Sequence, residues 1–124
     1  MTKTQDTNQL VQNGLEKDKI FQEVQELLYK LQSYKSKTYG SSWCKHGEAI
    51  SVFGNTSRKY DRIESIIKNF IEGKPLPSPE SEESLAETVA DLGVYCVLWM
   101  TWIKMNRPAE YESWVNRIKR ALGE

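Results

Sequence analysis

The stretch SLAETVADLGVYCVLWMTWIKM, residues 84–105, decides the fold of this chain. Between Leu92 and Ile103 only a glycine and a threonine interrupt a continuous run of apolar residues. A helix that is apolar on every side is typically buried in a protein core. This run is too short to cross a bilayer, which takes about 20 apolar residues. The stretch therefore predicts the buried central helix of a helical bundle or of an oligomer core, with Cys96 packed inside it as a free thiol.

Composition restricts the classes of protein to which the chain can belong. Its 124 residues suffice for one domain. Lys plus Arg and Asp plus Glu both number 17, so no net charge draws the protein to nucleic acid or to an anionic membrane. The two cysteines and the single histidine show neither zinc-binding nor nucleophile spacing, so no metal ligand and no catalytic residue is predicted. Because the N-terminal residues carry no signal sequence, we expect a cytoplasmic location, in a bacterium or in a phage-infected cell.

Four helices are predicted along the chain. Residues 1–17 are rich in Thr, Gln and Asn and predict a flexible arm, followed by a single α-helical domain over 18–124. Apolar residues at spacings of three and four predict a first helix ending near residue 37, a second over about 48–72 and a fourth over 109–122. No strand pattern occurs, so the predicted class is all-α, a four-helix bundle around the apolar third helix. Three neighbours in one small chain cannot cover that helix, so we expect a homodimer or higher oligomer.

Carboxylates stand at the start of the apolar helix. One face there carries, at every fourth residue, Glu83, Glu87, Asp91 and Tyr95. A buried carboxylate is costly unless a cation, a metal or hydrogen-bond donors accompany it, so Asp91 requires a partner. Glu87 also has a purely structural interpretation, because residues 84–87 (SLAE) fit a capping box.

The second helix supplies the cations that such acids need. Its apolar stripe, predicted to face the core, consists of Phe53, Tyr60, Ile63, Ile67 and Phe70. Lys59 falls within this stripe and Arg62 lies beside it. A lysine in this position often extends along its neighbours into solvent. The alternative is that Lys59 and Arg62 face Asp91 and Glu87, as ion-pair partners or as ligands for phosphate groups.

The segment KSKTYGSSWCKHG, which begins at Lys35, is the main predicted loop. Two aromatic residues, Tyr39 and Trp43, follow Lys35 and Lys37 and are separated by small residues. Accessible backbone N–H groups and lysines suit a phosphate, and aromatic rings stack on a base. The alternative is that the two rings close the end of the bundle while the lysines are solvated.

Three sequence blocks together resemble a known family. The blocks KSKTYGSSW, SRKYDRIESI and AETVADLGVY look like those of the nucleotide modification associated domain 1 family (DUF1599) of phages and bacteria. The resemblance covers about residues 35–99 and leaves the N-terminal arm and the last helix without a motif. The matching positions are Lys35, Tyr39, Gly40, Trp43, Lys59, Arg62, Ile63, Glu87, Thr88, Asp91, Leu92 and Tyr95.

The resemblance implies a nucleotide ligand and a MazG-like fold, because that family is similar to the all-α MazG-like nucleotide pyrophosphatases. Those enzymes hold Mg²⁺ between a Glu-x-x-Glu helix and a Glu-x-x-Asp helix. In this chain the helix expected to carry the first pair has Lys59 and Arg62 instead, and Glu23 and Glu26 of the first helix lie on its solvated face. The predicted nucleotide-binding residues are Lys35, Lys37, Tyr39, Trp43, Lys59, Arg62, Glu87, Asp91 and Tyr95.

Three functional hypotheses follow from these residues. The first is a small phage-type protein that holds a phosphate-bearing nucleotide, as an anti-defence sponge in one version, without a complete hydrolytic metal centre. The second is a Mg²⁺-dependent nucleoside triphosphate pyrophosphohydrolase that uses Glu87 and Asp91. The third is a non-catalytic interaction module in which Lys59 and Asp91 form a buried ion pair. The expected partners are a nucleotide and a second copy of the chain, with neither membrane nor nucleic acid.

Overall fold

The computed structural model describes residues 3–124, with side chains from Thr7 onward. The predicted all-α class is confirmed, since the described residues contain no strand. The four α-helices are α1 (Lys3–Tyr39), α2 (Phe53–Ile71), α3 (Leu85–Asn106) and α4 (Pro108–Ala121). A 3-10 turn at Ser42–Cys44 and a π-helical turn at Glu48–Val52 precede α2.

The chain divides into two compact units, one ending at Thr38 and the other spanning Tyr39–Glu124. The first unit consists of α1, which already begins at Lys3. The predicted arm over residues 1–17 is therefore not a separate segment from Lys3 onward, and its first two residues lie outside the described part of the chain. This stretch contains no proline, its Thr, Asn and Asp residues disfavour helix only weakly, and Gly14 costs about 1 kcal/mol relative to alanine. The boundary between units also lies at residues 38 and 39 instead of 17 and 18.

In the second unit α3 packs against α2, α4 and the π-helical turn, which confirms its predicted central position. It begins where the capping pattern predicts. The Ser84 side chain accepts a hydrogen bond of 3.1 Å from the backbone N–H of Glu87, which satisfies one of the donors left free at a helix start. Thr88, buried one turn into the helix, donates its hydroxyl to the Ser84 carbonyl at 2.9 Å.

The connection between α2 and α3 is irregular, as its three prolines predict. It opens with Gly73 at a φ of 88°, a left-handed conformation that glycine adopts without strain. Backbone N–H groups of Gly73 and Lys74 donate to the carbonyls of Phe70 and Asn69, which completes a Schellman cap on α2.

The face that α2 turns inward differs from the predicted stripe. Ile63, a member of the predicted stripe, is partly buried, and Ile66, at the edge of that stripe, is the buried apolar residue of α2. However, Phe53, Tyr60 and Phe70 are each more than half exposed. The physical reason is that Lys59, within the stripe, and Arg62, beside it, bond to α3 and to the residues before it, so α2 presents that side to its neighbour.

Apolar side chains remain exposed on several described helices. On α3 the exposed face includes Val89, Val97 and Cys96, which corrects the prediction that Cys96 is packed inside a core. Cys96 projects from the side of α3 that neither α2 nor α4 covers. Val52 and Ile66 are the buried apolar residues among those described, a small core for a chain of this length. The predicted homo-oligomer stays a prediction.

No described helix combines the length and the apolar character that a membrane crossing requires.

Candidate nucleotide site

An ion pair joins α2 to α3 at the centre of the predicted site. The Lys59 ammonium Nζ lies 2.9 Å from Oδ2 of Asp91. Each side chain is largely sheltered, with 20% of Lys59 and 17% of Asp91 exposed. Both residues lie within helices, so the backbone holds their relative positions. Lys59 therefore turns toward α3 as the second interpretation of its position predicts, and Asp91 has the partner that its burial requires.

Arg62 lies one turn further along α2 but does not reach Asp91 or Glu87. It donates through Nη2 to the Glu83 carbonyl at 2.9 Å and lies 3.3 Å from the Glu83 carboxylate. Its Nε is buried and has no acceptor among the described residues. Arg62 thus binds the segment that leads into α3, and one of its donors remains unsatisfied.

Glu87, the other predicted acid, lies in the first turn of α3 and takes no part in the Lys59–Asp91 ion pair. Glu87 is exposed, and its backbone N–H is the group that Ser84 caps. Its carboxylate projects from the first turn of α3, where the partial positive charge of the helix terminus stabilises an acid. Tyr95, one turn beyond Asp91, is partly buried. The predicted acidic face therefore separates into a sheltered part around Asp91 and an exposed part around Glu87.

The loop residues are split between the two units. Tyr39 is exposed at the start of the second unit, and Trp43 is partly buried in the 3-10 turn. The Trp43 carbonyl accepts a hydrogen bond of 3.5 Å from the Asn55 side chain, which ties this turn to α2. Lys35 and Lys37 belong to α1 and hence to the first unit, so their role as nucleotide ligands stays a prediction.

A second polar cluster, which the sequence does not predict, links the start of the π-helical turn to the junction of α3 and α4. Both oxygens of Glu48 accept hydrogen bonds from the guanidinium of Arg107, at 2.8 and 2.9 Å. The indole N–H of Trp99 donates to the same carboxylate at 2.8 Å. Arg107 also donates from Nε to Glu110 and lies 5.2 Å from the ring centre of Trp102. This set is a bidentate, charge-assisted arrangement, the strongest class of polar contact in proteins.

These contacts change the acid–base properties of the cluster. The hydrogen bonds from Arg107 and Trp99 lower the pKa of Glu48 from its ordinary 4.5 to about 2. The hydrogen bond to Glu48, assisted by Glu110, raises the pKa of Arg107 above its already high ordinary value. Glu48 is therefore ionised at every physiological pH and bound on both oxygens. It acts as a brace between elements and has no capacity left for proton transfer.

A sequence signal for this cluster does exist. Arg107 stands immediately before Pro108, where a proline ends one helix and begins the next. Glu48 follows Gly47 at the start of a helical segment. Both are positions where the backbone turns and a charged side chain can reach across. Nothing in the spacing indicates that the two positions meet, because 59 residues separate them.

The described residues limit what metal chemistry the site can support. Among them no group of three or more His, Cys, Asp or Glu side chains is placed to hold a metal ion. Asp91, half of the carboxylate pair that resembles a Mg²⁺ motif, is already bound to Lys59. Coordination of Mg²⁺ by Glu87 and Asp91 would therefore require that Lys59 first leave Asp91.

Two shallow grooves run along the surface of α1. One, of about 380 Å³, is lined by residues between Gln12 and Gln22, and the other, of about 330 Å³, by residues between Gln25 and Lys30. Each is lined by a single helix, and neither includes a residue of the predicted nucleotide site. A groove bounded on one side cannot enclose a small ligand in the way that binding pockets do.

Comparison with known proteins yields one informative match. The chain is similar to the Gene 30 protein of Bacillus phage SP01. The two are 37% identical over 125 aligned positions, which cover 89% of this chain and 55% of the phage protein. The chain thus spans about half the length of this curated relative. No protein-family model matches the chain, and no solved structure matches it either.

Proposed function

We propose that this protein binds a phosphate-bearing nucleotide on the face where α2 meets the start of α3. The observation that carries the proposal is the sheltered Lys59 ammonium, held on Asp91 at 2.9 Å with a second cation, Arg62, one turn away on the same side of α2. Two fixed cations at this spacing suit the oxygens of a polyphosphate chain. Asp91 keeps the Lys59 ammonium oriented when no ligand is bound.

Arg62 adds directional donors to this face. Its Nε is buried without an acceptor, and an unsatisfied buried donor costs about 1–3 kcal/mol. A phosphate oxygen is a suitable acceptor for such a group. Its present partner Glu83 is highly exposed, so exchange of that carboxylate for a ligand phosphate is inexpensive. Tyr39 or Trp43 then supplies a surface on which the base stacks, and Glu87 accepts from ribose hydroxyls.

Two similarities support the biological setting that we propose. The sequence blocks resemble a family associated with nucleotide modification in phages, and the chain resembles a phage protein over most of its length. We propose that the protein is encoded by a phage and holds a nucleotide intact, as a sponge does. The support is that the helix which the MazG-like resemblance would expect to carry the first acid pair has Lys59 and Arg62 instead. Its place of action would be the cytoplasm of the infected cell.

The direct test is binding of a nucleotide panel, measured by calorimetry and by the melting temperature. A ligand present at 100 times its dissociation constant adds about 2.7 kcal/mol to the free energy of unfolding. The Lys59→Ala variant should lose this gain, while Lys68→Ala, an exposed lysine of the same helix, should retain it. Equal binding by wild type and Lys59→Ala would refute the proposed site.

Hydrolysis is separated from sequestration by the fate of the ligand. If the protein is a sponge, the nucleotide is recovered unchanged after incubation with Mg²⁺, once heating of the protein has released it. If it is a pyrophosphohydrolase, Mg²⁺ produces a nucleoside monophosphate and pyrophosphate, and Asp91→Asn abolishes this product. If no nucleotide shifts the melting temperature, the Lys59–Asp91 pair is structural and the interaction-module hypothesis is favoured.

A further inference from the structure

Helix α1 carries a regular apolar seam that is largely open to solvent. The seam follows the alternating four- and three-residue spacing of a coiled coil and consists of Ile20, Val24, Leu27, Leu31 and Tyr34. In Ile20, Val24, Leu27 and Tyr34 the exposed fractions are 58%, 48%, 66% and 71%, and Leu31 is partly exposed. A sequence that keeps this spacing specifies a left-handed pairing with another helix.

Two further apolar residues widen the seam along one edge. Phe21 and Leu28 directly follow Ile20 and Leu27, and Phe21 is 64% exposed. In coiled-coil terms the seam occupies the a and d positions, and these two residues occupy e positions. Exposed apolar surface of this extent indicates a contact with another macromolecule.

The opposite edge of the seam is charged, and its charges change sign along the helix. The g positions are occupied by Glu16 and Glu23 in the N-terminal half and by Lys30 and Lys37 in the C-terminal half. All four side chains are exposed. One half of this edge is acidic and the other half is basic. When two copies of the helix lie antiparallel, the acidic half of each copy therefore faces the basic half of the other. We propose that α1 pairs in antiparallel orientation with α1 of a second copy of this chain.

The register of this pair follows from the seam. If Val24 of one copy packs in a layer with Leu27 of the second copy, Ile20 packs in a layer with Leu31 of the second copy. In an antiparallel pair the g positions of the two helices face each other. In this register Glu23 faces Lys30 of the second copy. Two further layers and one further charge pair are generated by the two-fold symmetry.

The same register satisfies the remaining edge positions. Glu16 faces Lys37 of the second copy, so all four g positions have partners of opposite charge. On the other edge Phe21 meets Leu28 of the second copy, which extends the apolar contact.

A parallel pair lacks this complementarity. There each g residue faces the e residue five positions further along the second copy. Glu16 and Glu23 would face the apolar residues Phe21 and Leu28, and Lys30 would face Lys35. No attractive pair forms and one repulsive pair does, so the charge pattern selects the antiparallel arrangement.

The experiment is sedimentation of the full chain in low salt, with a charge swap as the decisive variant. Wild type is expected to be a dimer. Glu23→Lys places a lysine opposite Lys30 of the other copy at both symmetry-related contacts. This change should raise the dimer dissociation constant by about tenfold. The double variant Glu23→Lys/Lys30→Glu restores opposite charges between the copies and should recover the wild-type constant. Asp18→Lys, the same charge change on the opposite side of α1, should leave it unaltered.

Three results would overturn the proposal. They are a monomeric wild type at 100-fold higher protein concentration, no weakening by Glu23→Lys, and no recovery in the double variant. Glu23 and Lys30 lie seven residues apart on one helix, about 10 Å along its axis, so recovery cannot arise within one copy. If the dimer forms through another surface, or if the seam packs within the same chain, the charge swap does not change the dimer dissociation constant in this pattern.

Cysteine cross-linking tests the orientation independently. In a background with Cys44 and Cys96 changed to Ser, the double variant Ile20→Cys/Leu31→Cys should form a covalent dimer on oxidation. Ile20→Cys alone should not, because in an antiparallel pair the two copies of residue 20 lie 11 residues apart, about 16 Å along the helix axis. Cross-linking of the single variant would show a parallel pair and refute the antiparallel one.

Discussion

At the level of single residues, the Lys59–Asp91 ion pair has one structural task and one proposed task, which mutation can separate. It joins α2 to α3 in a sheltered contact, and under the proposed function it also positions a cation for a ligand. Removal of Asp91 leaves the Lys59 ammonium sheltered without its counter-charge, whereas removal of both residues with apolar replacements often restores stability. Stability and ligand binding should therefore respond differently to single and double substitution.

Asp91→Asn should reduce the free energy of unfolding by about 1–3 kcal/mol, because the sheltered Lys59 ammonium loses the negative charge opposite it. Glu83→Gln, at the exposed ion pair with Arg62, should cost no more than about 1 kcal/mol. Urea denaturation measures both changes. The double variant Lys59→Met/Asp91→Leu should regain most of the lost stability while binding no nucleotide. Loss of stability that persists in the double variant would contradict this interpretation.

Glu48 gives a second residue-level prediction, for the dependence of stability on pH. Its pKa is about 2 in the folded protein and 4.5 in its ordinary state, so between these values the unfolded chain binds more protons than the folded one. The contribution of Glu48 is thus complete above pH 4.5 and is lost as pH falls toward 2. Glu48→Gln should be less stable than wild type at pH 6, and the difference should shrink toward pH 2. A constant difference over this range, measured by urea titration, would show that the carboxylate charge is not the cause.

At the level of elements, the start of α3 depends on the Ser84 cap. Ser84 is almost fully buried and accepts from the Glu87 backbone N–H, while its carbonyl accepts from Thr88. Because α3 packs on both α2 and α4, unwinding of its first turn would also loosen the segment that Arg62 holds. The cap therefore connects local helix chemistry to the candidate site.

Ser84→Ala should lower the free energy of unfolding by about 1 kcal/mol, the usual cost of a lost N-cap. Ser65→Ala, an exposed position within α2, should have no destabilising effect because alanine is the better helix former. Thermal unfolding followed by circular dichroism compares the two. Equal effects would mean that the Ser84 hydroxyl contributes nothing as a cap.

At the level of the whole molecule, the exposed apolar side chains on α1, α2 and α3 are the dominant feature. The buried apolar set in the described residues is small, so one copy gains little from its own core. The pairing that we propose for α1 would cover part of this surface and stabilise the folded state by mass action. Stability and oligomeric state should therefore be linked.

A 100-fold increase in protein concentration should raise the melting temperature by a few degrees, because the dimer is favoured. The Glu23→Lys variant, whose dimer is weakened, should show a smaller rise. Differential scanning calorimetry at two concentrations provides the comparison. A melting temperature independent of concentration in the wild type would contradict coupling between folding and association.

Much of the fold was accessible from local patterns. The apolar stretch 84–105 predicted α3, the SLAE pattern predicted its cap, and the proline-rich segment predicted the break before it. These features depend on neighbours within a few residues, so composition and spacing report them directly. The start of α1 was misjudged because polar residues favour an arm only weakly over a helix.

The site was accessible only in part. Lys59 and Asp91 were named as partners because a sheltered acid needs a cation, and the structure brings them together. The preference of Arg62 for Glu83 and the bond between Glu48 and Arg107 were not predicted. The first contact joins residues 21 positions apart and the second joins residues 59 positions apart. Sequence periodicity carries no information about contacts over such separations.

By itself the sequence determined which segments are helical, where α3 begins and that Asp91 requires a partner, since backbone propensity and the cost of a buried charge are local properties. Only the tertiary structure decided which face α2 turns inward, because the bonds that Lys59 and Arg62 make form only when α2 packs against α3 and the segment before it. It also decided that Cys96 is exposed and that Glu48 braces α4. Those outcomes depend on how rigid helices fit against one another, a property of the assembled elements and not of any single one.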